Sequence, residues 1–472
     1  MALRRLPSTT LLLVALALLV PAASAHASTS QTSLFEAPRE LLSNDDALRA
    51  RTLDEIDGFG VRWIRLIVFW KRVAPHADSA QMPAFDETDP NAYPGFGPYD
   101  RLISEAQARG INVLLTLSGP VPKWATAAKK DYLTKPSVTH WQRFVTAAGR
   151  RYGPVIDHWS IWNEPNHPAY LRPQYIGSGS ARRPYSPRLY RPLFFAAKRA
   201  LDATGNAGES VLMGETAPRG GRKTVPPLAF LRGTLCLSST FHKAPGCALF
   251  PADGYAHHAY TTSAGPTFHP SERDDVTIGV LGRLTSALDR AARAHAIEPH
   301  MPIYLTEFGI QSYPDPYIGV SLTKQAEYRS ISERIAYYNP RVRMFSQYLM
   351  RDDYPRPGNT YARYSGFESG LRLSSGRTKP AYEGYRLPLV VHRTSSIRVT
   401  LWGLVRPHAG RAQLLVERRT SGSRHWATLA SVTTNPNGYW SRAERYRARA
   451  WYRVVWTGPS GFVHRGPPTR TY

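Results

Sequence analysis

Gly60-Val61-Arg62-Trp63-Ile64-Arg65-Leu66-Ile67-Val68-Phe69 and, further on, Gly110-Ile111-Asn112-Val113-Leu114-Leu115-Thr116-Leu117 are the stretches that decide the fold. In each, a glycine closes a helical pattern (residues 47–57 and 99–108) and an apolar run rich in β-branched residues follows at once. Glycine supplies the left-handed residue that stops a helix, so the pair reads as helix, stop, strand. The unit recurs. Strand-like runs at 156–162, 211–215, 254–258, 303–307 and 342–349 are separated by helical patterns at 138–152, 192–203, 277–296 and 324–337, with Gly153 ahead of the run at 156. Ser33-Leu34-Phe35-Glu36 supplies an eighth strand. Strand and helix alternating over about 350 residues predict a parallel sheet with crossover helices, and eight units predict a closed (β/α)8 barrel. A doubly wound open sheet is the alternative, but no glycine-rich phosphate loop follows an early strand.

Near residues 387–391 the pattern changes. Strands follow one another without helices at 396–405, 413–418, 426–432 and 451–456, with Asn435-Pro436-Asn437-Gly438 as a turn, and predict a small β-sandwich. The expected organisation is therefore a leader at 1–27, a barrel at 28–388 and a sandwich module at 389–472. The leader reading rests on Arg4 and Arg5, the apolar run 11–20 and the small residues Ala22-Ala23-Ser24-Ala25-His26-Ala27, the three parts of a secretory signal peptide. The run is short for a membrane span, so a secreted protein with no membrane span is expected, and a monomer. Cys236 and Cys247, the only two cysteines, are then expected to pair. A reactive thiol or a metal site is the other reading, but no His or carboxylate cluster adjoins them.

The net charge of +25 favours anionic partners. The positive residues are spread along the chain with no basic helix and no aromatic-basic motif, so nucleic acid is not an expected partner. A solvated basic surface or attraction to an anionic cell-envelope polymer accounts for the charge.

The chemistry sits at strand ends. In a (β/α)8 barrel the carboxyl ends of the strands carry the active site. Two runs end in a glutamate inside an apolar context: His158-Trp159-Ser160-Ile161-Trp162-Asn163-Glu164-Pro165-Asn166 and Ile303-Tyr304-Leu305-Thr306-Glu307-Phe308-Gly309. Burying a carboxylate is costly unless it faces a cleft or a partner. Two on one rim suit glycoside hydrolysis, in which one carboxyl protonates the leaving oxygen and the other attacks the anomeric carbon.

Trp-Asn-Glu-Pro-Asn after the fourth strand with Thr-Glu-Phe-Gly after the seventh resembles the glycoside hydrolases of clan A, the "4/7" superfamily, with families 5 and 39 nearest in character. The resemblance covers roughly residues 30–388. It implies a retaining mechanism with Glu164 as acid/base and Glu307 as nucleophile, with Asn163 bonding a sugar hydroxyl. It places Arg65 beside the nucleophile and His258 and Tyr260, as a His-x-Tyr motif, against substrate or nucleophile. Trp70, Trp124 and Trp162 occupy positions where such enzymes stack sugars. The eighth strand carries Phe345-Ser346-Gln347-Tyr348 and departs from the family, with Tyr348 in place of the tryptophan under the sugar. The mechanism needs Glu164 protonated, its pKa raised toward about 6, and Glu307 ionised, and it calls for no metal or organic cofactor.

Each assignment has a structural counterpart. Glu164 could cap a helix ahead of Pro165, Glu307 could sit in a rim ion pair, and Arg65 could pair with any rim carboxylate. His257 competes with His258, though strand alternation points them apart. Glu215 also ends a strand, where rim packing accounts for it, and the tryptophans could be core. At the level of function, a hydrolase of β-linked poly- or oligosaccharide leads. A transglycosylase would use the same residues, and a non-hydrolytic carbohydrate- or envelope-binding protein would not need both glutamates.

Overall fold

The computed structural model describes residues 31–408 and 410–472; the leader expected at 1–27 lies outside the described residues. Eight parallel strands close into a barrel: β1 (Thr32–Glu36), β2 (Trp63–Phe69), β3 (Asn112–Ser118), β4 (His158–Ile161), β5 (Ser210–Thr216), β6 (Gly254–His257), β7 (Ile303–Leu305) and β8 (Val342–Tyr348). Each pairs with its neighbours in chain order, and β8 closes on β1 with Glu36 opposite Tyr348. A helix follows every strand: α1 (Asp46–Asp57), α2 (Gly97–Gln107), α3 (Val138–Tyr152), α4 (Ser186–Leu201), α5 (Pro227–Thr234), α6 (Gly282–Arg293), α7 (Leu322–Tyr337) and α8 (Pro380–Arg386). The barrel reading of the sequence holds.

Local chemistry starts and stops these helices. The side chains of Asp45, Ser137 and Ser321 accept the backbone N–H of Leu48, His140 and Lys324 at the first turns of α1, α3 and α7, caps worth about 1 kcal/mol each. Gly110 takes the expected left-handed backbone, φ 65°, and any side chain there would be strained. Gly153 does not: its φ is −49°, and it is glycine for space, since a Cβ would sit 2.4 Å from Asn206 Oδ1 and 2.5 Å from the Gly149 carbonyl. Helix α4 starts six residues before its expected position and runs through Pro192. Proline breaks one backbone bond, but Tyr190, Leu193, Phe194 and Ala197 bury the helix face on both sides of it.

Inside the barrel the side chains form layers. The lower layer is apolar, with Leu34, Trp63, Leu114, Leu212, Ala256, Tyr304 and Met344 meeting across the axis. The layer above, toward the carboxyl ends of the strands, is polar and holds the site. The main core lies outside the strands, between sheet and helices.

The C-terminal part is a pair of antiparallel sheets. One is β9 (Leu389–Arg393), β10 (Arg398–Leu404) and β13 (Tyr439–Arg445); the other runs β12 (Ala427–Thr433), β11 (Gln413–Arg419), β14 (Trp451–Thr457) and β15 (Val463–Arg465). They share a core of Val391, Leu401, Val416, Trp440, Tyr452 and Val454. Strands β9, β13 and β15 add to the four expected from sequence. The sheets dock at the amino end of β1. There Arg406 donates to Ser33 Oγ (2.9 Å), to the Tyr385 carbonyl (2.8 Å) and to buried Glu333, while Tyr439 packs on Tyr337 of α7 with ring centres 4.3 Å apart. Cys236 and Cys247 are joined as a disulfide beyond α5. Among the described residues no helix is long and apolar enough to cross a membrane.

Candidate active site

Residues at the carboxyl ends of several strands make the polar layer, and Arg65 is its hub. Strand alternation turns Arg65 into the barrel, where its side chain is fully buried. A guanidinium has five N–H donors, and five hydrogen bonds use them. Nε and Nη2 reach Glu215 (3.1 and 2.7 Å), Nη1 reaches Glu36 (2.6 Å) and Glu307 (2.9 Å), and Nη2 also reaches Asn163 Oδ1 (2.6 Å). Glu215 further accepts from Thr116 Oγ1 (2.9 Å). A buried cation on this scale is tolerable only because every donor is met.

One cation faces three carboxyl groups, so the layer adjusts its protons. Burial pushes the Glu36 carboxyl up to about 8, against the pull of Arg65. Glu36 is therefore protonated at neutral pH.

Glu164 and Glu307 stand above this layer, their side chains 17% and 12% exposed. Tyr260 Oη donates to Glu307 Oε1 (2.8 Å), so Glu307 accepts from both Arg65 and a phenol. His258 lies between the two acids, its Nδ1 3.0 Å from Glu164 Oε1 and 3.8 Å from Glu307 Oε2. The two oxygens cannot be further apart than the sum of those distances, and only a straight line through the nitrogen would reach it.

The pair with His258 differs from expectation. Burial, the largest influence, raises the Glu164 carboxyl, but the hydrogen bond and charge of His258, with His167 and Arg65, outweigh it and hold the group below its ordinary 4.5. His258 is correspondingly raised above 6.5: burial opposes its charging, but Glu307 and the bond to Glu164 prevail. The resting proton thus sits toward His258, not on Glu164. His257 is a separate case, pushed down to about 4 by burial and tied to Thr216 Oγ1 and the Val276 carbonyl; it is structural.

The mouth carries backbone strain. Trp162, Glu164, Glu215 and Leu349 all have left-handed backbone, φ 76°, 40°, 47° and 84°, a conformation costing about 1–3 kcal/mol in a non-glycine residue and concentrated at functional sites. The Glu164 turn is pinned by its N–H to the Glu215 carbonyl (3.0 Å), and Asn163 by its N–H to Ser118 Oγ (3.0 Å).

The structure brings Arg65, Asn163, Glu164, His258, Tyr260, Glu307 and Tyr348 together. It does not bring the three tryptophans. Trp70, Trp124 and Trp162 are fully buried, which corrects their expected place as sugar platforms. Trp70 lies stacked on Phe144, with Trp124 edge-on to it, and Trp162 packs against Trp141. Period-two alternation explains it: Arg65 and Phe69 share the inner face of β2, so Trp70 turns outward. The aromatics at the mouth are others. Phe69 stacks with Tyr170 at 9°, and Tyr348 meets Phe367 edge-on. Glu36, Phe69, Tyr170 and Phe367 escaped the reading from sequence. Glu36 carried a signal, a carboxylate closing a strand; Tyr170 and Phe367 lie on loops that carry none.

No family model and no curated protein matches the chain. Among solved structures, a family 39 glycoside hydrolase from the gut symbiont Bacteroides cellulosilyticus WH2 shares the fold, with a TM-score of 0.54 at 16% identity over 92% of this chain and 81% of that one. A family 1 β-glucosidase from Thermotoga maritima overlays less closely, with a TM-score of 0.46 at 14% identity over 71% of this chain and 83% of that one.

Proposed function

We propose that this protein is an exported, retaining glycosidase that cleaves β-linked glycosides by double displacement, with Glu307 as nucleophile and Glu164 as acid/base. The observation that carries the reading is the bridging of the two acids by one nitrogen, His258 Nδ1. It favours the separation of about 5–5.5 Å used by retaining enzymes over the wider gap that admits a water in inverting ones. The clan A-like motifs supply the roles, and the likeness of fold to a family 39 glycoside hydrolase agrees with them. Residues 28–388 would form the catalytic unit and 389–472 an accessory module.

The proton follows the charge of Glu307. In the free enzyme that charge raises His258, so the Glu164–His258 pair holds one proton. Transfer across their hydrogen bond loads Glu164, which gives the proton to the leaving oxygen as Glu307 attacks the anomeric carbon. Glycosylated Glu307 is neutral, the support for His258 is gone, and the pair is left as neutral imidazole and carboxylate. Glu164 is then the base that takes a proton from water, and release of Glu307 restores the first state. Arg65 and Tyr260 hold Glu307 in line, and Asn163, its Oδ1 held by Arg65, keeps its amide N–H for a sugar hydroxyl.

A panel of aryl β-glycosides assayed with wild type, Glu307→Gln and Glu164→Gln tests this. Glu307→Gln should lose at least about 10³-fold in kcat. Azide should rescue Glu164→Gln on activated substrates and give a glycosyl azide of retained configuration. Equal rates in wild type and Glu307→Gln on every substrate turned over would end the proposal. Acceptor sugars in the same assay separate hydrolysis from transglycosylation.

A further inference from the structure

Beyond Glu164 the chain leaves β4 on a long loop, and there the surface opens into a cavity of about 770 Å³. Its wall nearest the site is His167, whose N–H donates to the Glu164 carbonyl (2.8 Å) and whose ring packs against Tyr170. The rest is basic. Lys135, Arg172, Arg182, Arg222 and Lys223 all line it and all are exposed. Among the described residues none of the five forms an ion pair, and no carboxylate lines the cavity.

The walls are braced. Tyr175 and Ile176 pair with Arg183 and Pro184 in a short antiparallel ladder, and Tyr175 Oη donates to the Thr224 carbonyl (3.1 Å), tying the loop after β4 to the loop after β5. Arg182 lies over the Tyr175 ring at 3.6 Å, and Arg172 Nε donates to the Pro168 carbonyl (2.7 Å), leaving its two terminal nitrogens for another partner. Asp131, on the adjoining loop, is engaged by Thr134 and the Leu133 N–H.

Five cations in one concavity, of which Arg172 also feels the Asp131 carboxylate on the adjoining loop, focus a positive potential, and arginine forks match carboxylate and sulfate groups bidentately. We infer that this cavity is a leaving-group subsite for an anionic sugar unit, a reading that rests on the glycosidase function proposed above. Glu164 protonates the oxygen that departs, so the departing sugar lies beside Glu164, and His167 opens the cavity three residues further along that loop. Its volume is within the range of small-ligand sites, about 300–1,000 Å³.

The test separates this inference from the enzyme reading. In the Glu307→Gln background, calorimetry compares a hyaluronan tetrasaccharide (carboxylate), a chondroitin sulfate tetrasaccharide (carboxylate and sulfate), chitotetraose (neutral) and the oligonucleotide dT8. The acidic saccharides should bind at least about 10-fold tighter than chitotetraose, the better of them identifying the acid. Arg172→Ala, Arg222→Ala and Lys223→Ala should each weaken that binding about 2–5-fold, and their combination about 10-fold or more. Turnover of neutral aryl glycosides, whose leaving groups are uncharged, should be unchanged by the triple variant. Equal affinity for acidic and neutral saccharides, equal affinity for dT8, or a triple variant that slows the aryl glycosides as much as it weakens acid binding would each overturn the inference. Cavity-dependent binding of acidic saccharides with no glycoside turned over by wild type would take down the enzyme reading and, with it, the leaving-group assignment.

Discussion

Glu36→Gln is the substitution whose effect the polar layer fixes in both sign and size. Burial raises the Glu36 carboxyl from 4.5 to about 8 in the folded protein. Between those values the folded state holds a proton that the unfolded state has released, so stability falls as pH rises. Integrated from pH 5 to pH 8, a displacement of that size removes about 3 kcal/mol, a large part of the roughly 5–15 kcal/mol that holds a protein folded. Glutamine imitates the protonated acid: its carbonyl still accepts from Arg65 Nη1, and it cannot ionise. At pH 5 the variant should match wild type within about 1 kcal/mol, and at pH 8 it should be the more stable by about 3 kcal/mol. Urea denaturation at the two pH values, followed by tryptophan fluorescence, measures both. A variant that loses stability equally at pH 5 and pH 8 would show Glu36 to be an ionised partner of Arg65, and the account of the layer's charge would be wrong.

Tyr260→Phe removes one of the two donors to Glu307 while keeping a ring against Phe308 and Phe367. A charge-assisted hydrogen bond of this kind is worth about 1.5–3 kcal/mol, so kcat/KM on an aryl glycoside should fall about 10- to 100-fold with the melting temperature little changed; a fall of less than two-fold refutes the role. His258→Asn places an amide nitrogen near Nδ1 but cannot carry a proton. His258 is raised above 6.5 and Glu164 lowered, so the shared proton of wild type is lost only above pH 6.5, whereas in the variant Glu164 must hold it alone. The alkaline limb of the kcat/KM profile should then report the Glu164 carboxyl alone, raised by burial with His258 no longer lowering it, in place of the shared pair, and an unmoved limb excludes the shared proton.

The barrel was legible because its punctuation is local. Gly60 and Gly110 stop helices, and the runs after them are too apolar to be anything but strands, so the order of elements followed without any tertiary fact. The two glutamates were legible for the same reason: a carboxylate closing a buried run is an expense that has to have a use. What the sequence could not show is which way neighbouring residues turn. Trp70 and Phe69 are adjacent, yet one is locked under Phe144 and the other faces the mouth, because a one-residue step reverses the face of a strand. The protonation of Glu164 was missed for a related reason. Its direction depends on His258 arriving from β6, far along the chain, and a single motif does not carry its partners' charges. Tyr170 and Phe367 sit on loops, where no period links position to direction.

The C-terminal sheets hold the barrel by its floor. Arg406 grips Ser33 at the start of β1, whereas Glu36 at the end of the same strand belongs to the site, so the two parts of the molecule face away from each other. Tyr472 is stitched to Val391 in those sheets. A protein tethered to a bead or a glycan matrix through Tyr472 would therefore present its open mouth outward, like a cup fixed by its base, and any glycoside turnover measured on the bead should match that measured in free solution.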